Sequence, residues 1–176
     1  MTQYNIIAES QEYTVVAEFD HVATPAEAYQ SEADLEKEFI RLLGEQGYEY
    51  LPIHKEADLI FNLRDQLEKL NHYHFTDNEW EHFFNECIAN KNDDIVAKTA
   101  KIQDDYIQVL KRDTGESQNI KLIDKDNIHN NFVQVINQYV EEGGNYDTRY
   151  DVSILVNGLP LVHIELKRRG VQLKEA

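Results

Sequence analysis

The sequence predicts an α/β (α+β) fold, a central mixed β-sheet flanked by helices. Three observations lead there. Amphipathic helical stretches are interspersed with short β-like runs along the chain. Asn157-Gly158 separates two such runs, and this dipeptide is the strongest short-range hairpin signal. The 176 residues, 41% hydrophobic and 28% charged, have a globular balance and enough length to bury one core. A single domain over residues 1–176 is expected.

The elements follow in order. "EYTVVAEF" (12–19) reads as a short strand, and "SEADLEKEFIRLLGEQGYEYL" (31–51) as a helix followed by a strand. Ser31 is the N-cap of that helix, and Gly44 and Gly47 bracket its exit. Leu35, Phe39, Leu42 and Leu43 fall at i, i+4, i+7 and i+8, one helical face. A second amphipathic helix covers 57–70. Thr76 with Glu79 forms a capping box for a third helix running to about Ala89. Residues 93–101 are helical as well. "YIQVL" (106–110) and "NIKLI" (119–123) form a hairpin through Thr114-Gly115. A further helix is expected over 126–141, ended by Gly143-Gly144. Strands near 149–156 and 161–167 come next. The closing "GVQLKEA" resembles the first turn of another helix, so the domain is expected to be truncated at its C-terminal end.

Charge and composition exclude several classes. No run of 18 apolar residues exists, so no membrane-spanning helix is expected, and the first residues lack the pattern of a signal peptide. The single cysteine, Cys87, excludes an internal disulfide and fits a reducing cytoplasm; its ordinary role is a small residue half-buried in a helix. The net charge of −16 argues against strong nucleic-acid binding, because phosphate contacts need Lys and Arg. Residues 161–174 depart from that trend, with four Lys or Arg against one Glu.

That basic stretch overlaps an unusual strand pair. Asp151, Glu165 and Lys167 sit among apolar residues. By alternation, Val152, Ile154 and Val156 share one face with Val162, Ile164 and Leu166, and pack inward. Asp151, Ser153 and Leu155 would share the other face with His163, Glu165 and Lys167. A plain two-residue Asn-Gly loop sets Asp151 opposite Ile164 and mixes the faces. A three-residue loop or a one-residue bulge makes Asp151 and Glu165 neighbours instead, and Pro160 marks the place for it. Two adjacent carboxylates repel unless a cation lies between them. A hard divalent ion, Mg²⁺ with Mn²⁺ as substitute, suits that oxygen pair. Such an ion polarises a phosphoryl oxygen, and a lysine two residues on can stabilise the charge that develops.

Asp151 followed about fourteen residues later by Glu165-Leu166-Lys167 resembles the PD-(D/E)xK nuclease motif, with Tyr150-Asp151 in place of Pro-Asp. "RYDVSILVNGLPLVHIELKRRGV" resembles the N-terminal nuclease region of the type I restriction enzyme R subunit. "YQSEADLEKEFIRLLGEQGYEY" resembles the opening helix of the same region. The resemblance runs over nearly the whole chain. It implies a PD-(D/E)xK core and catalysis of double-stranded DNA cleavage by Asp151, Glu165 and Lys167. It also implies a metal held by Asp151, Glu165 and the Leu166 backbone carbonyl, and partnership with methylation and specificity subunits. In that family an ATP-driven motor follows the nuclease region; this chain has no G-x-x-x-x-G-K-[ST] loop, so ATP would serve only a motor absent from it. The family's downstream Gln-x-x-x-Tyr motif is not found in the chain either.

Other residues carry two readings each. Such nucleases often draw a further acid from the opening helix, and the candidates are Glu32, Glu36 and Glu38. On a helical projection Glu32 and Glu36 lie at the edge of the apolar stripe and Glu38 faces solvent; the spacing to the Gly-Tyr after the helix in the family that the chain resembles favours Glu36. A solvated helix-edge glutamate is the alternative. Arg149, Arg168 and Arg169 are either phosphate contacts or solvated charges. His163 reads as a packing or hydrogen-bonding neighbour of Glu165. The histidines of "NHYHF" (71–75) and His82 match no closed zinc spacing and read as surface residues. The rival to a nuclease is a catalytically inactive docking module whose acidic surface binds a partner protein within a larger DNA-processing assembly.

Overall fold

The computed structural model describes residues 4–9, 15–19, 31–141 and 148–167. The chain divides into two compact units, Met1–Gln30 and Ser31–Ala176. In the first, β1 (Tyr4–Glu9) pairs antiparallel with β2 (Val15–Phe19) through a bulge between Ile6 and Ala8. β2 falls inside the strand predicted at 12–19.

The second unit holds α1 (Glu32–Glu45), β3 (Glu49–Tyr50), α2 (Glu56–Asn71) and α3 (Asp77–Phe83), which runs on into a π-helical turn over Phe84–Ile88. Then come α4 (Ile95–Gln103), the hairpin β4 (Ile107–Lys111) and β5 (Ser117–Lys121), β6 (Val133–Glu141), β7 (Thr148–Val156) and β8 (Leu159–Ile164). The main sheet has the order β3-β6-β7-β8, with β3 parallel to β6 and the other pairs antiparallel. The fold is therefore the mixed α/β sheet with flanking helices that the sequence predicts.

Local chemistry sets the helix starts. The Ser31 hydroxyl accepts from the Asp34 amide, and Thr76 with Glu79 forms the reciprocal capping box. Glu79 is buried and does more than cap. It also accepts from the Tyr73 hydroxyl at 2.7 Å and from the Asp113 amide at 3.2 Å, tying α3 to the end of β4. Burial alone would raise its pKa. The Tyr73 hydroxyl and the two amides outweigh that and hold the carboxyl below its usual range.

Helices cover both faces of the main sheet. Phe39, Ile40 and Leu43 of α1 pack on Val135, Val152, Ile154, Ile164 and Leu166. On the other face Leu59 of α2 packs with Ile53, Ile136, Tyr139 and Leu155, and the Asn62 amide of α2 donates to Gln134 at 2.9 Å. A third cluster joins Leu63 and Leu67 of α2 to Phe75, Trp80 and Phe83, to Leu110 and Ile120 of the small hairpin, and to Leu159.

The helix expected over 126–141 is not there. A short 3₁₀ turn (Ile128–Asn130) leads into β6, the strand between β3 and β7. The reason is physical. Phe132, Val135, Ile136, Tyr139 and Val140 satisfy helical spacing, but a strand covered on both faces shows no period of two. The β-branched residues Val133, Val135, Ile136 and Val140 favour the strand. Gly143 and Gly144 lie outside the described residues.

The expected face assignment also needs correction. Ser153 and Leu155 do not lie on an open polar face; both are buried, and Leu155 packs in the cluster beneath α2.

The hairpin turn is buried rather than exposed. Asn157 and Gly158 have φ of 51° and 80°, the left-handed pair of a type I′ turn. Asn157 is fully buried. Its amide NH₂ donates to the Leu122 carbonyl and to Asn131 Oδ1, its Oδ1 accepts from the Phe132 amide, and its own amide donates to the Phe132 carbonyl. A Cβ on Gly158 would lie 2.6 Å from the Cα of Leu63. Gly158→Ala should therefore lower stability by roughly 2–4 kcal/mol, combining backbone strain with overpacking against α2. Urea unfolding reads this directly; an unchanged midpoint would mean that α2 yields to the methyl group.

Candidate active site

The register of β7 on β8 decides the site. Val156 pairs with Leu159 and Leu155 with Pro160, as a two-residue turn dictates. The register then shifts, so that Ile154 pairs with Val162, Ser153 with His163 and Val152 with Ile164. Leu161 is the extra residue, and it follows Pro160 directly. The bulge lies where the sequence placed it. Continued by one rung, this register sets Asp151 opposite Glu165.

β8 ends at Ile164, and side chains take over from the ladder. The Leu166 amide donates to Asp151 Oδ2 at 2.8 Å. Lys167 Nζ donates to Glu165 Oε1 at 3.0 Å, with the Glu165 side chain half exposed and Lys167 a quarter exposed. The Lys167 pKa is raised, first by that hydrogen bond and the Glu165 charge, then by the carboxylates of Glu32 and Asp151. Lys167 is thus a firm ammonium ion at neutral pH. Its acidic surroundings join β7, the segment after β8 and the start of α1.

Helix α1 contributes a second acid one turn on. Glu36 accepts from Asn137 Nδ2 at 2.6 Å and, through its other oxygen, from Gln138 Nε2. Asn137 pairs with Val152 and Tyr139 with Tyr150, so Gln138 occupies the rung facing Asp151. Glu38 points away, bonded to Arg41 on the exposed side of the helix, in line with the helical projection.

The structure thus brings Asp151, Glu165 and Lys167, with Glu32 nearby, to one end of the β7–β8 pair, and Glu36 connects to that end through Gln138, on the rung facing Asp151. His163 lies beside them: its Nδ1 is 2.8 Å from the buried Ser153 hydroxyl, and its ring stacks on Tyr150 at 3.9 Å. Arg149 is exposed on β7, while Arg168 and Arg169 lie outside the described residues. The histidines of 71–75 serve elsewhere. His72 closes α2 in a left-handed conformation, and His74 pairs with Glu68. The site neighbours the sequence did not reveal are Asn137, Gln138 and Tyr50, whose hydroxyl donates to Asn137. A wrongly helical β6 hid the first two.

Among the described residues no three His, Cys, Asp or Glu side chains group closely enough to hold an ion unaided. The donors that are present, the Asp151 and Glu165 carboxylates just past the last pair of the β7–β8 ladder and the adjacent Leu166 carbonyl, are all hard oxygens. They fit a divalent cation that keeps several water or phosphate ligands.

Residues 29–176 match the family described as Type I restriction enzyme R protein N terminus. The Type I restriction enzyme EcoprrI endonuclease subunit of Escherichia coli is 46% identical over 171 residues, 97% of this chain and 54% of that protein. The SsaAORF53P endonuclease subunit of Staphylococcus saprophyticus is 39% identical over 153 residues, 84% of this chain and 16% of that protein. The SauMSSORF170P endonuclease subunit of Staphylococcus aureus is 38% identical over 154 residues, again 16% of its length. The chain therefore spans about half the length of the first relative and about a sixth of the other two.

The bond from the Leu166 amide to Asp151 gives the site a local signature. A hydrogen bond to a charged acceptor contributes roughly 1.5–3 kcal/mol. Asp151→Ala should speed amide exchange at Leu166 by about 10- to 100-fold. Asp151→Asn keeps an acceptor and should speed it less. Equal exchange in all three proteins would show that the segment after β8 does not depend on Asp151.

Proposed function

The chain belongs to the family of type I restriction enzyme R protein N termini, and on that premise we propose that it is the metal-dependent endonuclease domain of a type I restriction enzyme. The observation that carries this reading is the bulged register. It leaves the Asp151 and Glu165 carboxylates just past the last pair of the β7–β8 ladder with a charged lysine beside them, in a family whose named relatives are endonuclease subunits. The reaction is hydrolysis of phosphodiester bonds in double-stranded DNA, with water as nucleophile.

The proposed roles are these. Asp151 and Glu165, with the Leu166 carbonyl, would hold Mg²⁺ or Mn²⁺, and Glu36 is the additional acid. Once bound, the ion supplies charge neutralisation at the phosphate and acidifies a water. Lys167 brings a compact positive charge to the phosphate as negative charge develops on it. Its pairing with Glu165 keeps the ammonium in place before substrate arrives. Asp151, through Leu166, anchors the segment that carries both Glu165 and Lys167. Arg149, Arg168 and Arg169 are the candidate DNA contacts.

A chain of charge −16 is a poor ligand for DNA by itself. Most of the affinity must come from elsewhere in a larger assembly, where the methylation and specificity subunits and an ATP-driven motor deliver the DNA. The cytoplasm is the proposed location. No helix among the described residues is long and apolar enough to cross a membrane.

Two measurements test the proposal. In the reconstituted full enzyme, Lys167→Ala should reduce cleavage of a circular plasmid by at least about 100-fold, the scale of losing one transition-state charge contact, while the ATPase rate holds. Lys167→Arg should also impair cleavage, because a planar fork does not replace a point charge. Calorimetry with Mn²⁺ should show binding by the wild-type chain and a clear loss in Asp151→Ala. Wild-type cleavage by Lys167→Ala, with equal Mn²⁺ binding in both proteins, would leave a docking module as the better reading.

A further inference from the structure

Asn137 and Gln138 are neighbours in β6, yet both side chains reach one carboxylate, that of Glu36. A regular strand forbids this, because successive side chains point to opposite faces. The exception has a visible cause. Gln138 has φ of 52°, the left-handed region that residues other than glycine avoid. The register shows no inserted residue, since Asn137 pairs with Val152 and Tyr139 with Tyr150. The strand instead reverses its alternation at Gln138. Tyr139 confirms it by packing with Ile136, Leu155 and Leu59 on the α2 side, where alternation from Ile136 would have put Gln138.

The reversal turns Tyr139 into the cluster beneath α2 and Gln138 away from it, toward Glu36 of α1. Strain of this kind persists where surrounding structure over-determines it, and it gathers at functional sites. Here it falls on the rung facing Asp151, and its product is a two-pronged amide clamp on Glu36. The clamp is itself oriented: the Tyr50 hydroxyl donates to Asn137 Oδ1 at 2.9 Å, which turns the Asn137 NH₂ toward Glu36. A carboxylate gripped by one donor on each oxygen has lost its rotational freedom. It keeps a lone pair on each oxygen for a cation or a water.

Resting on the nuclease reading above, we propose that Asn137 and Gln138 are positioning residues that hold the Glu36 carboxylate in place for the metal site built on Asp151 and Glu165. The left-handed backbone at Gln138 aims the second amide at Glu36 while it seats Tyr139 in the core. Neither residue touches the substrate. Their effect passes through Glu36 and appears as metal dependence rather than as an all-or-none loss.

The discriminating variant is Gln138→Gly. Glycine accepts the left-handed backbone without strain and removes only the amide. Urea unfolding of this variant should show stability equal to or above that of the wild type. Calorimetry should show Mn²⁺ binding weakened about 10-fold, the lower end of what losing a partner of a metal ligand costs. In the reconstituted enzyme, half-maximal cleavage should need about 10-fold more Mg²⁺, with the rate recovering at saturation. Gln138→Glu, which sets an anion against Glu36, should do more harm on the same readouts. Glu36→Gln should show a shift at least as large, and adding Gln138→Gly to it should cost nothing more. Wild-type metal dependence in Gln138→Gly, or an additive loss on top of Glu36→Gln, would overturn the proposal. That failure is separable from failure of the nuclease reading, because Lys167→Ala would still reduce cleavage by at least about 100-fold.

Discussion

The structure depends on how Asn157 is held. This one side chain is fully buried, and its turn bonds to the Phe132 backbone on both sides, to Leu122 and to Asn131. Gly158 beside it lies against the backbone of α2 with no room for a methyl group. A turn fixed by its own buried polar group cannot slide. That immobility matters because a slip of one residue would turn every side chain of β8 to the other face. The bulge at Leu161 then makes the single correction that pairs Val152 with Ile164 and leaves Asp151 and Glu165 next after that pair. The proposed chemistry is set by a turn and a bulge whose residues take no part in it.

Burying a sheet on both faces imposes a further constraint, because polar groups under the helices must find partners. The structure answers with short chains of amides. Gln66 donates to Asn62, Asn62 to Gln134, and Gln134 to Glu49. Ser153 meets His163 in the same way. The acids of the site lie where this cover thins: Glu165 is half exposed and paired with Lys167, which also feels the charge of Glu32 at the start of α1. One lysine among Glu32, Asp151 and Glu165 leaves the site net negative. A phosphate approaching it meets repulsion until a cation is present, so on the proposed reading metal binding must come before productive contact with DNA.

Much of this was legible in the sequence, and the reasons are local. Ser31 and the Thr76–Glu79 pair are capping signals whose partners lie within three residues, so no tertiary information is needed to read them. Asn157-Gly158 has one favoured hairpin geometry. The bulge could be inferred because only one register makes neighbours of two carboxylates, and Pro160 marked where the ladder would break. What the sequence withheld was long-range. Asn137 meets Glu36 across 101 positions, and no local pattern encodes that approach.

The misread strand and the hidden clamp have a common cause. Helix or strand is read from a stripe of apolar residues, and the stripe exists only when one side meets water. β6 lies between two strands and beneath two helices, so Val133, Val135 and Ile136 carry apolar side chains to both faces. In such a strand the period vanishes, and the informative residues are the polar ones. Gln134 and the Asn137-Gln138 pair stand where a purely structural strand would carry valine or isoleucine, because burying an amide is costly unless a specific partner waits for it. Gln134 serves the contact with α2. Asn137 and Gln138 serve an acid on α1, at the cost of a left-handed backbone at Gln138. Two adjacent amides inside an otherwise apolar run therefore mark a place where the strand needs polar partners, while the partner itself, Glu36, is fixed only by the fold.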